Sequence, residues 1–198
     1  MDKNKFIERV WIVAKEGYER YGILPSLTIS QSILESDWGK KHIQNNIFGI
    51  KAGSSWNGAF ATRMTREWDG SKYITVEARF RAYDSFEDSI RDYLKLIGES
   101  KRYERVKEAK DYKEASRLIY EAGYATDPKY SQKLVEIIEG YGLYKYDKKV
   151  MENPISPWAA EAMVWGTKLG ITDGQNPKEF ATREQVITMM YRYHKGNE

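Results

Sequence analysis

Apolar residues recur at helical spacing along most of this chain, with one stretch where the period drops to two. Phe6, Val10, Ile12, Val13 and Tyr21 lie among Glu, Arg and Lys, which predicts an amphipathic helix over residues 4–21 ended by Gly22. Pro25 suits a first helical position and opens a second, more apolar run, Leu27-Thr-Ile-Ser-Gln-Ser-Ile-Leu-Glu35, for which Gly39 is a fitting terminator. Residues 44–51 are too polar and glycine-bearing for a long element and read as a loop with a short turn. Over residues 59–82 Thr, Val, Tyr, Phe and Arg alternate on either side of Trp68-Asp-Gly70, an Asp-Gly turn signal. That pattern predicts a β-hairpin or small sheet.

Helical spacing then returns. Asp84-Ser85-Phe-Glu-Asp88 gives a capping signature ahead of Ile90, Tyr93, Leu94 and Ile97, with Gly98 as a stop. Asp111-Tyr-Lys-Glu114 repeats it before Ala115, Leu118 and Ile119, and Asp127-Pro128 before Leu134, Ile137 and Ile138, closed by Gly140 and Gly142. Residues 143–155 lose periodicity and gain charge, which predicts a linker. Beyond it, a helix from Ser156-Pro157-Trp158 through Leu169 and a capped helix from Thr182 through Tyr193 flank a Gly170–Gly174 loop. The expected fold class is α+β: a mainly helical domain with a small β-hairpin lobe (1–146), a linker (147–155) and a C-terminal two-helix module (156–198). A module of that size buries little alone, so it should dock on the first domain, stack with copies of itself, or both.

Composition narrows the chemistry. The 198 residues are 41% hydrophobic and 31% charged, a soluble-domain balance, with a net charge of only +3 that lends no support to nucleic-acid binding. Cysteine is absent, which excludes thiol nucleophiles, disulfides and thiolate metal sites. His42 and His194 are too few and too far apart for a histidine zinc site, and no Gly-x-Ser-x-Gly elbow occurs. No metal or cofactor is therefore expected. No apolar run is long enough to span a membrane, and the first residues lack a basic-then-apolar leader. The expectation is a product made in the cytoplasm that something else must release if it acts outside a cell.

Glu35 is the leading candidate for chemistry. It falls in the last turn of its helix, where the backbone dipole is negative and opposes ionisation, and Trp38 and Phe48 could desolvate it further. A carboxylic acid held partly neutral is what a glycosidase uses to protonate a leaving oxygen. The same position also suits a solvated helix-end carboxylate. Glu67 adds a second carboxylate on the hairpin, where pairing with Arg63 or Lys72 is the plainer reading. Six Trp, fifteen Tyr and six Phe provide flat faces for sugar rings or for core packing.

Four motifs in one order carry a resemblance: Gln31-Ser-Ile-Leu-Glu35-Ser-Asp-Trp-Gly39, Asn45-Asn-Ile-Phe-Gly-Ile-Lys51, Glu67 in the hairpin, and Ala122-Gly-Tyr124-Ala-Thr-Asp127-Pro128-Lys-Tyr130. Over roughly residues 5–143 the chain resembles the family 73 glycoside hydrolases, the peptidoglycan N-acetylglucosaminidases of flagellar, autolytic and phage origin. The resemblance implies a lysozyme-like domain in which Glu35 is the general acid, Glu67 the second carboxylate and Tyr124 a tyrosine that holds or stabilises the reacting sugar. It places Asn46, Phe48 and Gly49 in a loop beside the cleft and Asp127 in the last motif, as substrate contacts. By their flat faces alone, Trp38, Trp68, Tyr124 and Tyr130 are candidate sugar surfaces, and Trp68 suits burial equally well. Asp37 departs from the Gly or Ala of many relatives. Water could be activated by Glu67, with inversion, or the substrate's own N-acetyl group could assist.

Residues 156–194 resemble one S-layer-homology repeat, in which Trp158 and Arg183 would contact glycan. The same apolar positions also suit the core of a two-helix unit. The implied function is an endo-β-N-acetylglucosaminidase that cleaves the β-1,4 bond between N-acetylglucosamine and N-acetylmuramic acid, in the manner of a phage endolysin released through a holin pore. The alternatives are an N-acetylmuramidase or lytic transglycosylase of lysozyme-like fold, or a non-catalytic wall-binding protein. The expected partners are peptidoglycan and, through the tail, a secondary wall polysaccharide; neither nucleic acid nor membrane is expected. The chain should be a monomer or a small homo-oligomer.

Overall fold

The structure, a computed structural model, describes residues 2–68, 71–152, 159–174 and 181–195. Helix α1 (Lys3–Tyr21) is capped by Asp2, whose carboxylate accepts from the Asn4 and Lys5 N–H groups, and it stops at Gly22 in the left-handed region. Phe6, Ile7, Val10, Trp11, Val13, Ala14 and Gly17 form its buried face. Ile12, expected in that face, points outward and is 56% exposed. Helix α2 (Pro25–Ser36) starts with proline at its first turn and is buried almost throughout, Leu27, Ile29 and Ile33 included.

The end of α2 is shaped by three consecutive left-handed residues, Asp37, Trp38 and Gly39, with φ of 48°, 63° and 71°. Two of them are not glycine, a strained choice that the Ser36 hydroxyl helps hold by accepting the Gly39 N–H at 2.8 Å. Glycine is required at the third: a Cβ on Gly39 would lie 2.9 Å from the rings of both Phe6 and Phe86. The helix therefore ends three residues before the glycine that the sequence suggested as its stop.

Strands β1 (Phe60–Trp68) and β2 (Tyr73–Arg81) form a two-stranded antiparallel hairpin, with Phe60 opposite Arg81 and Glu67 opposite Ile74. On β2, Ile74, Val76 and Ala78 are half-buried while Thr75, Glu77 and Arg79 are exposed, the alternation of a strand with one protected face. The hairpin is fixed at its base. Ala52 N donates to Arg79 O and Arg81 N to Ile50 O, each at 2.9 Å, and Asp92 accepts from both Arg81 and Tyr83 at 2.6 Å.

Helix α3 (Phe86–Glu99) is capped by Ser85 and carries Asp92; Gly98, suggested as its stop, lies inside it against Tyr21. After a short 3₁₀ turn come α4 (Glu104–Lys107), α5 (Tyr112–Glu121), capped by Asp111 as expected, and α6 (Tyr130–Tyr141), closed by Gly142 at φ 63°. Residues Tyr144–Glu152, where charge and lost periodicity predicted a linker, instead form helix α7. The physical reason lies in Leu143, Tyr146, Asp147 and Val150: Leu143, Asp147 and Val150 are buried, and Tyr146 packs at a tilt against Trp11, ring centroids 4.9 Å apart, and donates to Glu8. The exposed charges between them are the solvent face of a packed helix.

In the tail, α8 (Ala160–Lys168) rests on α1, where the Lys15 ammonium donates to the Gly174 carbonyl, and α9 (Arg183–Lys195) has no buried residue. Ile12, Lys15 and Glu19 of α1 line the junction with Val164, Thr167 and Gly174. The tail docks on the first domain through these residues, one of the arrangements a unit this small requires.

Candidate active site

Glu35 stands in the last turn of α2, beside a cleft of about 410 Å³ walled by Leu34, Glu35, Tyr124, Ala125, Thr126, Asp127, Tyr130 and Lys133. Two parts of the fold supply these walls: the C-terminal end of a core helix, and the turn between α5 and α6 with the first turn of α6. Helix α2 packs on α6, so the acid sits on a rigid base and the opposite wall is fixed to the same core.

Glu35 keeps one side open to solvent while the walls crowd its carboxyl end. Burial lifts its pKa above the ordinary glutamate value, and a hydrogen bond from Tyr130 pulls in the other direction. The Tyr130 hydroxyl donates to Glu35 Oε1 at 2.7 Å and accepts from Gln31 Nε2 at 3.0 Å. Gln31 Oε1 in turn accepts from the Tyr93 hydroxyl. Gln31 and Tyr93 have no exposed surface, and Tyr130 is 4% exposed. Three polar side chains in the core thus end on one oxygen of the acid.

Tyr124 faces the same cleft. Its ring packs among Tyr93, Tyr103 and Tyr130, and among the described residues nothing hydrogen-bonds its hydroxyl. Burial and the neighbouring tyrosines and Glu35 hold its pKa well above normal, so it is a neutral donor throughout the useful pH range. Asp127 accepts the Lys129 N–H at 2.9 Å and the Lys133 ammonium at 2.6 Å, which holds its carboxyl below the usual range. It braces the turn leading into α6 and, through Lys133, holds a cation on the cleft wall.

The sequence-predicted residues do not all gather here. Glu35, Tyr124, Asp127 and Tyr130 do. Trp38 is 8% exposed and packs edge-on against Phe6 and Tyr141, with the Lys3 ammonium over it. Phe48 is 5% exposed and stacks flat on Tyr93 at 4.0 Å, so it supports the ring that begins the hydrogen-bond series. Asn46 is buried and braces its loop, donating to the Ile50 and Arg81 carbonyls and accepting the Ile50 N–H. Gly49, at φ 63°, opens on empty space. The backbone at Glu67 and Trp68 belongs to the distal end of β1, but the side chains of both lie outside the described residues, as does all of Trp158. Arg183 is an exposed residue in the first turn of α9.

Gln31, Tyr93, Thr126 and Lys133 belong to the site or its support but are not among the residues the sequence points to. Gln31 had a signal: a lone amide in an apolar run, four residues before Glu35 and so on the same helix face. Among the described residues no cluster of His, Asp or Glu is fit to hold a metal.

Residues 11–143 match the glucosaminidase family, described as mannosyl-glycoprotein endo-beta-N-acetylglucosaminidase. The chain belongs to the glucosaminidase family. Among its relatives, exo-glucosaminidase LytG of Bacillus subtilis is 41% identical over 155 residues, which are 74% of this chain and 54% of that protein. The peptidoglycan hydrolase FlgJ of Pseudomonas aeruginosa is 35% identical over 72% of this chain and 38% of its own length. The chain thus spans about half or less of these curated relatives. The crystal structure of a peptidoglycan hydrolase mutant from Sphingomonas sp. A1 superposes with a TM-score of 0.64 at 36% identity, covering 72% of this chain and 96% of that one. The catalytic domain of the autolysin Auto from Listeria monocytogenes gives 0.63 at 33% identity, covering 73% and 86%. The expected mainly helical domain with a hairpin lobe is therefore the fold this glucosaminidase-family chain adopts, and its matched residues include Glu35, Glu67 and Tyr124.

Proposed function

We propose that this chain is a peptidoglycan N-acetylglucosaminidase that hydrolyses the β-1,4 bond between N-acetylglucosamine and N-acetylmuramic acid. The observation that carries the reading is Glu35, a carboxylic acid with a raised pKa at the rim of a sugar-sized cleft, facing a neutral tyrosine. Glu35 donates its proton to the leaving oxygen, the function of an acid whose protonated form burial favours. Tyr124 directs its unengaged hydroxyl at the reacting sugar. Glu67, placed by β1 toward the hairpin tip, is the second carboxylate of the pair. Family membership and the peptidoglycan hydrolases among the relatives support the substrate class, and the exo-glucosaminidase LytG supports a glucosaminidase activity.

The tail unit, with Trp165, Tyr191 and Tyr193 roughly half exposed, is proposed to hold wall polysaccharide. Clearing of purified Gram-positive walls tests the enzymatic reading. The wild-type chain lowers turbidity, and Glu35→Gln loses at least about a hundredfold. A chain that binds walls without lysing them is a wall-binding protein instead.

A further inference from the structure

We propose that Tyr93, Gln31 and Tyr130 form a directional hydrogen-bond relay that fixes the acid proton of Glu35 on Oε2, the oxygen left for the substrate. The inference rests on Glu35 being the general acid and adds three positioning residues to it.

The direction follows from what each group can do. An amide nitrogen only donates and an amide oxygen only accepts. With Gln31 Oε1 taking the Tyr93 O–H, its Nε2 must give a hydrogen to the Tyr130 oxygen. The single Tyr130 proton is then free for Glu35 Oε1, 2.7 Å away. Oε1 is thereby an acceptor, and a protonated Glu35 must carry its hydrogen on Oε2. Among the described residues nothing hydrogen-bonds Oε2. Were the Gln31 amide reversed, Tyr130 would donate to Gln31 and Glu35 would turn its proton toward Tyr130, away from the leaving oxygen.

The surroundings hold the relay in place. Phe48 stacks on Tyr93, and no member but Glu35 has appreciable contact with water, which makes each bond electrostatically stronger than in solvent. The titratable groups around Glu35 are Tyr93 on α3, Tyr124 and Asp127 before α6, and Tyr130 and Lys133 on α6. The three tyrosines are pushed up by burial and stay neutral, so the relay does not itself titrate where the acid does.

The test is the dependence of kcat/KM on pH, read by release of reducing ends from purified peptidoglycan, for wild type, Tyr130→Phe, Tyr93→Phe and Glu35→Gln. A hydroxyl donated to Oε1 stabilises the carboxylate, so its removal makes Glu35 a weaker acid and moves the alkaline limb to higher pH. Tyr130→Phe is expected to shift that limb by roughly half a unit or more and to lower kcat about tenfold, with KM unchanged. Tyr93→Phe, one link further back, shifts it the same way by less. A folded Tyr130→Phe with a wild-type limb overturns the relay. If Tyr130→Phe does not fold, Tyr93→Phe decides alone, and an unshifted limb in it has the same meaning. An active Glu35→Gln would instead remove the general acid on which the relay rests, a separate failure.

Discussion

Asp147 accepts two hydrogen bonds from Ser26, one from its backbone N–H at 2.8 Å and one from its hydroxyl at 2.6 Å, across 121 positions of sequence. Ser26 lies in the first turn of α2, the helix that ends in Glu35. A side chain from α7 therefore caps the helix that presents the acid, a task that Leu24 at the cap position does not perform. The family match stops at residue 143, one residue before α7 begins.

Removing that cap should destabilise the domain. Asp147→Ala leaves a buried N–H and hydroxyl unanswered and is expected to cost about 2 kcal/mol, read by urea denaturation. A chain ending at residue 143 should likewise melt below one ending at residue 152. Equal melting temperatures for the two truncations would return residues 144–152 to the status of a linker.

Two buried carboxylates predict how stability varies with pH. Burial pushes Asp147 up to about 6 and Glu19, packed between α1 and α8 beside Lys15, up to about 7. Both folded values exceed the unfolded ones, so the fold binds these protons more tightly. Their stabilising contribution is complete below the unfolded pKa and is lost as pH rises through about 6 and about 7 respectively. Glu19→Gln should gain on wild type by on the order of 2 kcal/mol between pH ~4 and ~8, measured by thermal melting at each pH. A difference that does not change with pH would contradict the burial of Glu19 against α8.

Tyr124→Phe removes a hydroxyl that has no partner in the described structure, so stability should change little. Activity should not be spared. A donor used mainly in the transition state lowers kcat while leaving KM nearly unchanged, and the expected loss is at least about tenfold. Steady-state kinetics on soluble glycan fragments reads this directly, and an unchanged kcat would confine Tyr124 to packing.

Much of this was legible in the chain. Asp111 and Ser85 cap the helices they were expected to cap, Pro25 opens α2, and the change of period at residues 59–82 marks the hairpin. Those features are local, and local chemistry decides them. The linker reading failed because Leu143, Tyr146 and Val150 form too short a stripe to stand out among lysines, and only contact with Trp11 and Ser26 reveals it. Tyr124 and Tyr130 line the cleft, but Trp38 and Phe48 are packed into the core instead, for a related reason. Trp38 and Phe48 have the composition of a sugar platform, but whether a ring faces a ligand or Phe6 depends on the left-handed turn after Ser36, which two non-glycine residues hide. Glu35 and Tyr124, which line one cleft, lie within the motifs whose order carries the resemblance; Gln31 lies in the first of them, but its hydrogen bonds to Tyr93 and Tyr130 join residues far apart in sequence.

The most direct test of the central claim is mass spectrometry of the muropeptides released from purified walls by wild type and by Glu35→Gln. The account predicts fragments with N-acetylglucosamine at their reducing ends from the wild type and a loss of at least about a hundredfold in their release by the variant. Reducing N-acetylmuramic acid or 1,6-anhydro ends from the wild type, or undiminished release by Glu35→Gln, would contradict it.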